Sequence, residues 1–134
     1  MSPSVIVQYL KEKGIKLAAL TDHNSSLNNP PFAKLCKQNG ILCLYGMEAQ
    51  TAEEIHALCL FSTIEKALDF GIFIYDLLPN FLNVPEKTGD QVFVDKDENI
   101  LGEVQKYLIT SASMSIDDMA KEVHQRNGLF IPAH

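Results

Sequence analysis

One pattern occurs three times along this chain: a helix-like segment, a glycine, a short run of apolar residues, and a side chain able to bind a metal ion. Helical segments that alternate with continuous apolar strands are typical of a parallel sheet covered by helices. The residues that follow the strands of such a sheet gather at one edge. His23, Glu48 and His134, which follow the three apolar runs, are therefore predicted to lie close together.

The three helical segments carry their own start and stop signals. Ser2 before Pro3 predicts the first helix, Asn29 begins the second, and Ser115 with Asp118 resembles a capping box at the third. The glycines that end these helices are Gly14, Gly40 and Gly128. The strands that follow them are predicted over residues 15–20, 41–45 and 129–133.

The middle of the chain departs from the repeat. Residues 55–61 predict another strand with His56 near its start, and a helix over 63–78 follows Ser62. A loop is predicted over 79–90, and two short strands around a polar turn at 95–99 predict a hairpin outside the main sheet. The overall prediction is an α/β fold with a mostly parallel sheet, helices and a small hairpin insertion, in one domain over residues 1–134.

Composition limits the partners of this protein. The net charge of -6 argues against a broad surface for nucleic acid or anionic membranes. A small phosphorylated ligand stays compatible, because bound metal ions reverse the local field. The sequence predicts neither a signal peptide nor a membrane-spanning segment. Its three cysteines show no spacing typical of disulfides, so we predict free thiols in the core of a protein from a reducing compartment. The predicted location is the cytoplasm.

Histidines with a nearby carboxylate are the donors that Zn, Mn or Fe ions prefer. Each candidate also has a purely structural alternative. His23 can be a hydrogen-bonding loop residue, Glu48 the cap of a turn, His56 a satisfied strand residue, and His134 a frayed terminus. His124 falls on the polar side of the last helix, and we predict that it is a solvated helix residue.

Four segments resemble, in chain order, motifs of the PHP (polymerase and histidinol phosphatase) family of metal-dependent phosphoesterases. They are Thr21-Asp22-His23-Asn24, Gly46-Met47-Glu48, Glu54-Ile55-His56 and the strand end Ile131-Pro132-Ala133-His134. The resemblance covers nearly the whole chain. It implies part of a distorted (βα)7 barrel with a cluster of two or three metal ions at its C-terminal edge.

The resemblance also implies roles for particular residues. His23 would be a metal ligand, Glu48 would bridge two metals, and His56 with His134 would complete the second site. Asp22 would hold the loop or a histidine in place by hydrogen bonding. The implied cofactors are divalent Zn, Mn or Fe ions.

The family opens with a strand that ends in His-x-His and has a later Asp-x-His strand, and this sequence contains neither. A partial PHP domain with an incomplete metal site is therefore expected. The expected function is metal-dependent hydrolysis of a phosphate ester, either a small phosphomonoester or a nucleotide, with weak activity. The alternative is a non-catalytic, degenerate PHP-like domain that mainly self-associates. Uncovered strands predict a homo-oligomer in either case, or else a poorly soluble protein.

Overall fold

The computed structural model describes residues 1–134 and contains five helices, a four-stranded sheet and a separate two-stranded hairpin. The helices are α1 (Pro3–Glu12), α2 (Asn29–Gln38), α3 (Ile64–Leu77), α4 (Pro85–Thr88) and α5 (Ile116–Gln125). The strands are β1 (Leu17–Leu20), β2 (Leu42–Gln50), β3 (His56–Phe61), β4 (Val92–Val94), β5 (Ile100–Glu103) and β6 (Leu129–Pro132).

The main sheet has the strand order β1-β2-β3-β6. Strands β1 and β2 are parallel, whereas β2–β3 and β3–β6 are antiparallel. The sheet is therefore mixed, and the prediction of a mostly parallel sheet is wrong. The physical reason is the connection after β2: residues 51–55 are too few for a crossover, so the chain turns straight back as a hairpin. The three strands of the repeat still run in one direction, with β3 opposed to them.

Strand β2 continues well beyond the predicted end at residue 45, through Gly46 and Glu48 to Gln50. Gly46 is a strand residue because β3 approaches it closely: a Cβ atom there would lie 1.8 Å from the Cys59 carbonyl oxygen. Asn29 at the start of α2 clamps the same glycine, donating to its carbonyl and accepting from its N–H, both at 2.9 Å. This glycine marks a close contact inside a strand rather than the strand's end.

The helices bury one face of the sheet. The main core cluster combines that face with α3 and α5, and a smaller cluster joins α1 and α2 to β1. The opposite face carries the exposed side chains of Leu17, Leu42, Leu129 and Ile131, which the strand register places on the same side as Glu48 and His56.

No helix has the length and apolar character needed to cross a bilayer.

Local signals in the sequence account for several element ends. The Ser115 hydroxyl accepts a hydrogen bond from the Asp118 N–H at 3.2 Å, as the capping-box pattern predicts. At α3 the cap is Thr63 rather than Ser62, with its hydroxyl oxygen accepting from the Lys66 N–H. The hairpin of β4 and β5 is present, and the predicted loop before it contains the short helix α4.

Candidate metal centre

Backbone pairing places His23 beside Glu48. The Glu48 N–H donates to the Asp22 carbonyl and the Asn24 N–H donates to the Glu48 carbonyl, each at 3.0 Å. These two bonds continue the parallel pairing of β1 and β2 past the end of β1, so that His23 and Glu48 form an isolated β-bridge. The end of β1 and the last residues of β2 therefore share one edge of the sheet.

The β2–β3 hairpin brings His56 to the same place. His56 begins β3 and pairs with Gln50, two residues beyond Glu48 on β2. Side chains two positions apart on a strand lie on the same face, so His56 and Glu48 project on one side of the sheet. A histidine at the start of an antiparallel strand thereby reaches residues at the ends of parallel ones.

The side chains of His23, Glu48 and His56 form a compact trio. One carboxylate oxygen of Glu48 lies 3.0 Å from Nδ1 of His56, and the other lies 3.9 Å from Nδ1 of His23. The two imidazole rings meet edge to face, with centroids 5.5 Å apart. One donor atom from each residue lies within 4.8 Å of the other two, and all three residues are half-buried. Two ring nitrogens and one carboxylate oxygen make a donor set that suits a divalent transition metal.

His134 lies next to the trio without joining its group of donor atoms. Its backbone continues the pairing of β6 with β3, since the His56 N–H donates to the His134 carbonyl at 2.9 Å. The rings of His134 and His56 lie 4.6 Å apart, centroid to centroid, with a tilt of 36°. Of the four predicted ligands, the structure therefore brings three together and places the fourth against the outer side of His56.

Asp22, immediately before His23, directs its carboxylate toward the loop. Its Oδ2 atom lies 3.4 Å from the Asn28 side-chain nitrogen. Burial raises the pKa of Asp22 above the ordinary value, and the Asn28 amide, the α-amino group of Met1 and His23 act in the opposite direction. The carboxylate contacts the loop that carries His23 rather than another histidine.

Three asparagines organise this loop, and sequence reasoning assigned none of them a role in the site. Buried Asn24 donates to the carbonyls of Leu108 and Thr110 and accepts from the Gln50 N–H. The side-chain oxygen of Asn28 accepts from the Val94 N–H of the hairpin, and Asn29 clamps β2. The signal was available as three asparagines within the nine residues that follow β1, where short amides satisfy irregular backbone.

His23 and Asp22 open into a cleft with a volume of about 490 Å³. Its far wall is made by the β4–β5 hairpin and the segments on either side of it, including Asp90 and Tyr107. The insertion that stands outside the main sheet thus forms one wall of a cleft that reaches the trio at His23.

Comparisons with known proteins agree with this architecture. The sequence model of the PHP domain family matches residues 1–127, a range that contains the trio but stops before His134. An uncharacterized protein of Methanocaldococcus jannaschii is 39% identical over 67 residues, which are 49% of this chain and 39% of that protein.

A solved structure from Bifidobacterium adolescentis has a similar fold, with a TM-score of 0.63 and 15% sequence identity. That protein is provisionally described as a metal-dependent phosphoesterase. The superposition covers 99% of this chain and 61% of the Bifidobacterium chain. The chain thus spans less than two thirds of either relative.

Proposed function

Because this chain belongs to the PHP domain family, we propose that it is a metal-dependent phosphoesterase whose divalent ion is held by His23, Glu48 and His56. The observation that carries the proposal is the trio itself, three donors from three different strands or strand ends within 4.8 Å of one another. The ion we propose is Zn, Mn or Fe, in accordance with the nitrogen and oxygen donors.

When bound, a divalent ion supplies Lewis-acid polarisation of a phosphate ester and a nucleophile generated from water at neutral pH. The protein's own part is to hold the donors. One Glu48 oxygen hydrogen-bonds to His56 and the other lies 3.9 Å from Nδ1 of His23. The half-buried position of Glu48 strengthens its interaction with the two imidazoles relative to one in open solvent. The hydrogen bond to Nδ1 of His56 fixes the orientation of that ring.

His134 and Asp22 have supporting parts in the same proposal. The ring of His134 packs on His56 and offers a further nitrogen at the outer side of the trio. Asp22 holds the His23 loop through Asn28, and such partners tune the orientation of a ligand. Residues 1–134 would then be one partial domain, with the mixed sheet as part of a PHP-type barrel. The substrate we propose is a small phosphorylated molecule that occupies the adjacent cleft.

Metal binding by the whole chain tests the proposal directly. Calorimetric titration with Zn²⁺ or Mn²⁺ should give a Kd that rises about 100-fold in Glu48→Gln, because the substitution removes the charge that joins both histidines. Glu54→Gln makes the same chemical change in the neighbouring turn, outside the trio, and should leave the Kd unaltered.

Hydrolysis of p-nitrophenyl phosphate and its diester should depend on the added ion and fall at least tenfold in Glu48→Gln. Metal binding and hydrolysis that are the same in wild type, Glu48→Gln and Glu54→Gln would contradict the proposal. Metal binding without hydrolysis of any ester would support the ion site and favour the non-catalytic alternative.

A further inference from the structure

The cleft beside His23 is lined by few polar groups that are free to contact a ligand. Gln91 is committed to the protein, since its side chain donates to the carbonyls of Val104 and Lys106 and accepts from the Leu108 N–H. Asn28 is likewise engaged with Asp22 and the hairpin backbone. These amides build the wall and have little capacity left for a bound molecule.

Asp90 and Tyr107 differ from these amides. Both residues line the cleft. The backbone N–H of Tyr107 donates to the Phe81 carbonyl oxygen, whereas the Tyr107 hydroxyl group stays available. Asp90 is an exposed residue of the cleft lining, and its carboxylate has no hydrogen-bond partner within the protein. A carboxylate accepts up to four hydrogen bonds and a phenol hydroxyl can donate and accept, so the two groups suit a ligand that is rich in hydroxyl groups.

The charge of the cleft points to the same class of ligand. Its lining includes the carboxylates of Asp22 and Asp90 but neither lysine nor arginine. Met1, with its α-amino group, also lines the cleft. A phosphate on the metal ion would be neutralised by that ion, whereas a second anionic group reaching the outer cleft would meet carboxylates.

Apolar side chains complete the wall around these groups, among them Val92, Val104 and Ile109. Such surface accommodates the carbon skeleton of a small alcohol while the polar groups fix its orientation, as in most small-molecule sites.

Resting on the proposed phosphoesterase function, we propose that this site takes phosphate monoesters whose alcohol half is hydroxyl-rich and carries no second negative charge. Asp90 accepts hydrogen bonds from the alcohol's hydroxyl groups and repels a carboxylate or second phosphate at that position. Because Asp90 is exposed, solvent and salt screen this repulsion, and we expect it to cost no more than about tenfold in affinity at low salt.

The matched pair sn-glycerol 3-phosphate and 3-phosphoglycerate tests this inference, because the two differ chiefly in a carboxylate. With the full chain loaded with Mn²⁺ or Zn²⁺, kcat/KM should favour glycerol 3-phosphate by about tenfold. In Asp90→Asn the ratio should move towards one, mainly through a faster reaction of 3-phosphoglycerate. Asp76→Asn removes the same charge from the exposed side of α3 and should leave the ratio unaltered.

Binding separates this inference from the proposed function. If neither ester is hydrolysed, calorimetric titration of both onto the metal-loaded protein replaces kcat/KM. If glycerol 3-phosphate binds more tightly and Asp90→Asn abolishes this preference, the inference about the alcohol half is upheld even though the proposed hydrolysis is not observed. Four results would overturn the inference about the alcohol half. They are equal hydrolysis of both esters, a preference for 3-phosphoglycerate, a kcat/KM ratio that Asp90→Asn does not change, and no binding of either ester.

Discussion

Gly46 lies where the backbone of β3 leaves no room for a side chain. A Cβ atom would lie 1.8 Å from the Cys59 carbonyl oxygen, so Gly46→Ala must push the two strands apart. We expect the free energy of unfolding to fall by more than about 3 kcal/mol. Urea denaturation would measure this loss.

Gly14→Ala is the matched control. Gly14 has a φ of +69°, and a Cβ atom at this position would have nothing within 4 Å, so only the backbone penalty of about 1–2 kcal/mol applies. Equal losses for Gly46→Ala and Gly14→Ala would contradict the close approach of the strands.

Cysteine chemistry gives a second prediction for single residues. Burial raises the pKa of Cys36 and of Cys59 to about 12. Since the thiolate is the reactive form, both thiols should react slowly with a disulfide reagent at pH 8 in the native protein. All three cysteines should react quickly after unfolding in guanidinium. Rapid native reaction of Cys59 would show that the core is not closed over β3.

The same shifts predict how stability depends on pH. Because the folded pKa lies above the ordinary thiol value of 9.0, the folded state holds its proton more strongly than the unfolded chain does. This contribution is fully present below about pH 9 and is lost as the pH rises from 9 towards 12. The urea midpoint should therefore decrease across that window, and a Cys59→Ala variant should show a smaller decrease.

At the scale of elements, the β2–β3 hairpin decides the geometry of the site. Its turn, residues 51–55, sets the register that places His56 opposite Gln50 and thus beside Glu48. Inserting two glycines between Glu53 and Glu54 should cost little stability, because loop-closure entropy changes slowly with length. It should nevertheless raise the Kd for Zn²⁺ or Mn²⁺ at least tenfold, since ligand placement is sensitive to shifts of about 1 Å.

Calorimetric titration would measure that Kd, and an identical insertion between Asp97 and Glu98 is the control. That insertion lengthens the β4–β5 turn and leaves the register of β2 and β3 untouched. If both insertions weakened metal binding equally, the hairpin register would not be the cause.

The elements also show what the sequence alone supports. Helix caps such as Ser115 and the apolar strand runs depend on local chemistry, so they could be predicted. The direction of β3 could not be predicted from the repeat, because pairing depends on the short turn before it. Gly46 follows an apolar run, so the sequence predicts that the strand ends there. Only the close approach of the β3 backbone explains why this glycine lies in the middle of β2. The proximity of His23 and Glu48 could be predicted because both follow apolar strand runs. The roles of Asn24 and Asn28 could not, because they depend on hydrogen bonds to distant parts of the chain.

At the scale of the whole molecule, one face of the main sheet is left without a covering layer. Leu42 is 72% exposed on that face and Leu17 is 58% exposed, with β1 and β6 as unpaired edges. Exposed aliphatic surface and open strand edges favour association. We expect the protein to form a homo-oligomer, and light scattering on the purified chain would measure its mass.

Leu42→Lys and Leu129→Lys should shift this equilibrium towards the monomer, because a charge on the open face opposes burial. Ile72→Lys changes a similarly exposed residue on α3, away from that face, and should not alter the mass. A monomer at high protein concentration in the wild type would show that the open face does not drive association.

The hairpin that joins β2 to β3 also affects the timing of site assembly. Because the chain turns straight back after β2, all three donors lie in the single stretch from His23 to His56, ahead of the helices that complete the main core. Chains emerge from the ribosome with the N-terminal part first. A nascent chain released through β3 therefore already contains the donors of the proposed ion site, whereas α3 and α5 arrive later. Metal capture during synthesis would then precede closure of the core around Phe61 and Met119.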